Sequence, residues 1–158
     1  MAIVDARIDD RLVHGQVCSF WIPKYNVDRI VVVDDAVAKD DLRKSMLRMA
    51  CPERCKLSIF DTAKAADKFS RHIDEGIKVM ILCNSPVPIL QMAKCGFKVE
   101  YVTVGNMSGR PGSQQIAKTA YATPEEIEAF RELAAQGVEI YDQLVPNDIR
   151  ENITKRFQ

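Results

Sequence analysis

Eleven residues near the start of the chain, Arg7-Ile8-Asp9-Asp10-Arg11-Leu12-Val13-His14-Gly15-Gln16-Val17, hold four charged side chains and one of the two histidines. A free imidazole titrates near about pH 6.5, so it is mostly neutral at pH 7, and its unprotonated nitrogen can attack phosphorus. A phosphoryl group in transit spreads negative charge over its oxygens and asks mainly for positioning and charge stabilisation. Arg11, three residues before His14, offers a guanidinium fork for those oxygens. A carboxylate from Asp9 or Asp10 could hold the second ring nitrogen of His14 and fix its tautomer. Gly15 would let the backbone approach a phosphate closely.

Three other readings touch parts of this pattern. A histidine at a turn can serve as a structural hydrogen-bonding residue, with the neighbouring charges simply solvated. A nucleotide-binding or regulatory module could hold an anion here without covalent chemistry, yet Gly15 is the only glycine near the turn and no Gly-x-Gly-x-x-Gly or P-loop pattern occurs. Histidine-phosphatase chemistry uses Arg-His-Gly and a second catalytic histidine. Here Val13 precedes His14, and the other histidine, His72, falls opposite the apolar stripe of Ala66, Phe69 and Ile73, which reads as a solvated position.

The elements around the motif give it a position. Short β-rich runs at Ile3–Ile8, Ile30–Val33, Leu57–Phe60, Ile77–Cys83, Tyr101–Val104 and Val138–Tyr141 alternate with segments of helical period. Such alternation predicts an α/β fold, a single-domain open and mainly parallel β-sheet over residues 1–158 with helices on both faces. The first helix is expected from Gly15 to about Ile22, with Val17, Phe20 and Trp21 inward and Pro23 near its end. Leu42, Met46 and Met49 predict a second apolar stripe, read as core and closed by Pro52.

Asp61, Ser85 with Pro86, and the pair Thr123 and Glu126 are expected to cap helices, and Gly76, Gly96 and Gly137 to mark exits. The Gly105–Ser113 loop must turn sharply, Lys118–Tyr121 reads as a short strand, and a last amphipathic helix is expected over about Asp148–Phe157. In open α/β sheets ligands bind beyond the carboxyl ends of the strands. His14 lies after the first strand, on a helix whose unpartnered N-terminal amides favour an anion.

Composition narrows the partners. With 158 residues, 47% hydrophobic and 28% charged, the chain suits one globular domain, and 22 basic residues cancel 22 acidic ones. No global field draws it to nucleic acid. No stretch approaches the roughly 18 apolar residues of a spanning helix, and Asp5, Arg7, Asp9 and Asp10 stand where a signal peptide needs an apolar run, so a cytoplasmic location is expected. Cys18, Cys51, Cys55, Cys83 and Cys95 show no metal-ligand spacing and read as free thiols, so neither a metal nor a cofactor is called for.

The motif closely resembles the active-site loop of the IIB components of the mannose/fructose/sorbose phosphotransferase family. The resemblance runs along nearly the whole chain, through Trp21, Val32-Val33-Asp34-Asp35, Val104-Gly105-Asn106-Met107 and Val145-Pro146-Asn147-Asp148. It implies an open, mainly parallel sheet and a phosphohistidine carrier: His14 receives a phosphoryl group from a IIA phosphodonor and passes it to a sugar translocated by membrane IIC and IID subunits. Peripheral association with that permease follows. Carried over residue by residue, it makes His14, Arg11 and Asp10 catalytic and puts Arg7, Gly15 and Gln16 at the phosphate. Asn84 and Ser85, with the loop from Gly105 to Ser108, lie after strands and are either further phosphate-binding groups or plain caps and turn formers.

Overall fold

The computed structural model describes residues 3–158. Its strands are β1 (Ile3–Asp9), β2 (Arg29–Val33), β3 (Lys56–Phe60), β4 (Val79–Cys83), β5 (Tyr101–Asn106), β6 (Gln114–Ala117), β7 (Ala120–Ala122), β8 (Glu139–Asp142) and β9 (Glu151–Asn152). Its helices are α1 (Ile22–Tyr25), α2 (Asp35–Ala38), α3 (Asp41–Ala50), α4 (Thr62–Ser70), α5 (Pro86–Lys94) and α6 (Pro124–Ala135). One sheet runs in the order β3-β2-β4-β1-β5-β8-β9, parallel except for the antiparallel β8–β9 pair, and β6 with β7 forms a separate hairpin. The expected mainly parallel α/β sheet is the observed one.

The direction of winding decides which face each helix covers. Right-handed crossovers place the helix on one face when the chain steps one way along the sheet and on the other when it steps back. The chain moves from β1 to β2 and β3, then returns through β4 and goes on to β5 and β8 on the far side of β1. The segment after β1 therefore covers one face with α2 and α3, and α4, α5 and α6 cover the other. Side chains of β4 divide accordingly: Met80 and Leu82 pack with Val17, Trp21 and Leu47, whereas Val79, Ile81 and Cys83 pack with Phe69, Ile89 and Met92. All five are buried, and each large aliphatic side chain removed from water contributes about 1.5–3 kcal/mol before entropy is counted.

β1 breaks this apolar pattern. Ala6 and Ile8 face the second of these cores, but the alternate positions Asp5, Arg7 and Asp9 are charged and equally buried. Thr103 Oγ1 donates to Asp5 Oδ1 at 2.8 Å. Burial pushes the Asp5 carboxyl above the usual carboxylate range, against the pull of Arg7, and pushes the Arg7 guanidinium down against the pull of Asp5 and Asp9.

The capping signals lie where expected. Asp61 accepts from Lys64 N–H, Ser85 from Val87 N–H, and Thr123 with Glu126 forms a reciprocal capping box. Gly76, Gly96 and Gly137 adopt positive φ. Three expectations need correction. Leu42, Met46 and Met49 do not line a core: they are 71%, 60% and 86% exposed, because α3 enters the apolar layer through Leu47 alone. Phe20 is also exposed. The chain is helical from residue 15, but Val17–Trp21 forms a π turn, whose wider i→i+5 geometry aligns Val17, Trp21 and Ile22 inward and turns Phe20 out. The wider turn also relieves the clash that Pro23 would otherwise make with the preceding turn.

The third correction concerns the C-terminal segment, where β9 and a 3₁₀ turn (Thr154–Phe157) replace the expected helix. Asn152 Oδ1 accepts from Thr154 N–H and Oγ1, a local bond that competes with helix, and β9 pairs along the edge of β8. The short strand expected over Lys118–Tyr121 is present from Ala120 as β7, with Lys118 and Thr119 forming the turn that joins it to β6. His72 is exposed, just beyond α4, with φ at 61°.

Candidate active site

At the end of β1 the chain reverses within five residues. Leu12 N–H donates to the Asp9 carbonyl at 2.9 Å, and Leu12 itself takes the left-handed conformation at φ 58°. That conformation costs a non-glycine residue about 1–2 kcal/mol, which burial of the leucine side chain offsets. The reversal brings His14 back over the strand end. Its Nε2 lies 2.9 Å from Asp9 Oδ2.

The other Asp9 oxygen accepts from the Arg11 amide at 2.9 Å and from Arg11 Nε at 3.4 Å. The Asp9 side chain is 3% exposed and that of His14 17%. An ionised carboxylate only accepts hydrogen bonds, so Nε2 must carry the ring proton. Nδ1 is left with the lone pair and has no hydrogen-bond partner among the described residues. Of the two carboxylates that could fix the tautomer, Asp9 does so.

Asp10 has a different task. Its Oδ1 accepts from Asn106 Nδ2 at 2.9 Å, its Oδ2 accepts from Ser108 N–H at 2.7 Å, and its own amide donates to the Asn106 carbonyl at 2.9 Å. These bonds tie the His14 loop to the segment following β5. Arg11 extends over the opposite side, with Nη2 donating to Gln16 Oε1 at 2.9 Å and its side chain 46% exposed. The first hydrogen bond of the helix runs from Cys18 N–H to the His14 carbonyl at 3.0 Å, leaving the amides of Gly15, Gln16 and Val17 open toward the loop. Partial positive charge from these amides and the Arg11 guanidinium thus flank the ring.

A Cβ placed on Gly15 would meet no atom within 4 Å, and its φ is not left-handed, so neither packing nor backbone geometry demands glycine there. Gly15→Ala is expected to leave thermal stability unchanged or raise it by up to about 1 kcal/mol through helix propensity. The methyl group would stand where an anion approaches the open amides, and the phosphoryl transfer expected from the sequence should fall about tenfold. Thermal unfolding and rapid-quench kinetics on the same preparation check both halves; an unchanged transfer rate removes Gly15 from the site.

The remaining expected site residues separate from this group. Ser85 caps α5, and with Asn84, Asp34, Asp35 and Thr62 it lines a cleft of about 230 Å³ that makes no hydrogen bond to the His14 loop among the described residues. Arg7 is buried at 1% exposure beneath the loop, with Nη2 on the carbonyls of Gln143 and Leu144 at 2.5 and 2.6 Å. Reasoning from sequence did not assign Trp21, whose Nε1 also donates to the Leu144 carbonyl, at 3.2 Å. The signal available was the run of charges at alternate positions of β1, which marks one strand face as polar.

The chain matches the family model described as PTS system sorbose subfamily IIB component over residues 3–158. It is 36% identical over 157 residues to the sorbose-specific EIIB component of Lacticaseibacillus casei, covering 99% of this chain and 96% of that one. It is 37% identical over 148 residues to the mannose-specific EIIAB component of Escherichia coli, covering 94% of this chain and 46% of that longer protein. Its fold superposes on the crystal structure of the IIBSor domain of the sorbose permease from Klebsiella pneumoniae with a TM-score of 0.90 at 35% identity, over 99% of this chain and 96% of that one. A full-length family match, relatives above one-third identity and a shared mainly parallel sheet agree, and the chain belongs to the sorbose-subfamily IIB components of the sugar phosphotransferase system.

Proposed function

We propose that the chain is a phosphohistidine carrier, a protein-Nπ-phosphohistidine–sugar phosphotransferase component that takes a phosphoryl group from a IIA donor onto His14 and delivers it to a sugar translocated by membrane IIC and IID subunits. The observation that carries this reading is the 2.9 Å contact between His14 Nε2 and the buried Asp9 carboxylate, which reserves Nδ1 for bond formation. The lone pair of Nδ1 forms the new N–P bond as the donor's N–P bond breaks and its electron pair returns to the donor imidazole. Positive charge then develops on the His14 ring, and Asp9 stabilises it. In delivery a sugar hydroxyl oxygen bonds to phosphorus, its proton passes to solvent water, and the N–P electron pair returns to Nδ1.

Arg11 and the amides of residues 15–17 face the equatorial oxygens in both steps. The name of the Escherichia coli relative, EIIAB, joins IIA and IIB in one protein and supports the link to a IIA donor. No helix among the described residues is long and apolar enough to cross a membrane. One side chain must meet donor and acceptor in turn at contact distance, so their docking surfaces overlap around the His14 loop.

Incubation with a phosphorylated IIA donor tests the proposal. One phosphoryl group per chain is expected, mapping to His14, labile in acid and stable in alkali. An adduct on serine or cysteine, or a phosphorylated donor that leaves the chain unlabelled, would overturn it.

A further inference from the structure

We infer that Arg7 is a positioning residue, an internal brace that sets the Asp9–His14 geometry from beneath without touching the phosphoryl group; its bearing on transfer rests on the carrier reading above. Arg7 sits on β1 two residues before Asp9, and its guanidinium carbon lies 4.0 Å from the centroid of the Trp21 ring. Trp21 belongs to the helical segment that starts directly after His14. Arg7 Nη2 and Trp21 Nε1 both donate to the Leu144 carbonyl, and Arg7 Nη2 also reaches that of Gln143. The strand that carries Asp9, the helix that follows His14 and the segment after β8 therefore meet at one guanidinium.

Three observations separate this role from phosphate binding and from plain packing. Nη2 is committed to two carbonyls, and the side chain is 1% exposed, which leaves it no path to a ligand at the loop. Nε and Nη1 have no hydrogen-bond partner, and Nη1 lies 3.9 Å from Asp5 Oδ2. A buried charge satisfied so incompletely is poor evidence of a purely stabilising role, though its removal alone leaves Asp5 without its counter-charge. What arginine supplies here is a planar group whose Nη2 bonds both the Gln143 and the Leu144 carbonyls while its face stacks on the indole. Gly105 is fitted to it: a Cβ at that position would stand 2.8 Å from Arg7 Nη2 and 3.1 Å from the Ile8 carbonyl.

The test uses the His14 ring as its own reporter. Ring ¹⁵N resonances of the full chain distinguish the Nε2–H from the Nδ1–H tautomer without any partner protein. Arg7→Met removes the fork, Trp21→Phe removes the indole N–H, and Gly105→Ala crowds the guanidinium while leaving Arg7 in place. In all three the Nε2–H signature should give way to a mixture, and transfer from a phosphorylated IIA donor should slow about tenfold. If Arg7→Met fails to fold, Gly105→Ala and Trp21→Phe carry the same reading. Transfer lost in Arg7→Met with wild-type ring resonances and a silent Gly105→Ala would make Arg7 a direct phosphate ligand and overturn the brace. Unchanged ring resonances in all three variants would overturn it equally. A ring that responds to these substitutions in a chain that never labels at His14 would refute the carrier reading and leave the brace standing.

Discussion

An Asp9→Asn variant is expected to accept phosphoryl groups about 10³–10⁴-fold more slowly than the wild-type chain while keeping its fold. The amide that replaces the carboxylate has one accepting and one donating end. Its oxygen is needed by the Arg11 amide, which donates to Asp9 Oδ1 at 2.9 Å. The NH₂ end then faces His14 Nε2, which must turn from donor into acceptor. The ring proton moves to Nδ1, the atom whose lone pair the proposed reaction requires. An equivalent tautomer error in a serine-protease triad costs about 10⁴ in rate, and the chemical logic is the same. Rapid-quench transfer from the IIA donor, read beside ring ¹⁵N shifts and thermal unfolding, checks the chain of cause. A rate within tenfold of wild type in a variant whose Nδ1 is protonated would show that the tautomer does not control the reaction.

The second large effect is expected at Arg11. Arg11→Ala should slow transfer by about 10²–10³-fold, the usual loss when one charge-stabilising donor is removed from a site. Arg11→Lys should recover part of the rate, since an ammonium cannot make two parallel hydrogen bonds to one phosphoryl group. Stability should hardly move. The side chain is 46% exposed, its bond to Gln16 lies at the surface, its Nε contact with the buried Asp9 is long at 3.4 Å, and the Arg11 amide that also holds Asp9 survives the substitution. Those two contacts hold the guanidinium beside the His14 ring before any ligand arrives, so less ordering remains when the phosphoryl group binds. Unchanged transfer in Arg11→Ala would remove the residue from the mechanism, and a large fall in melting temperature would reassign it to the fold.

The parts of the site legible in the sequence are those written in local pattern. His14 after a strand and before a helix, the parallel sheet, and the caps at Asp61, Ser85 and Thr123 all depend on neighbours a few residues away. The choice between Asp9 and Asp10 was not legible, because it hangs on a left-handed leucine at position 12, and leucine does not announce that conformation. Arg7 could have been read as inward by strand parity with Asp5 and Asp9, but its carbonyl partners lie 136 and 137 positions away. Met46 and Met49 misled for a related reason. Period alone shows that a helix has an apolar stripe, not that anything covers it.

The bonds that Asn106 and Ser108 donate to Asp10 make two loops, nearly a hundred residues apart, a single structural unit. A chimera that grafts the histidine loop of a distant relative onto this scaffold without the segment after β5 would lose the carboxylate's partners or strand its own. The histidine loop is therefore transplanted together with the segment after β5, and a graft of either alone brings a loop without its anchor.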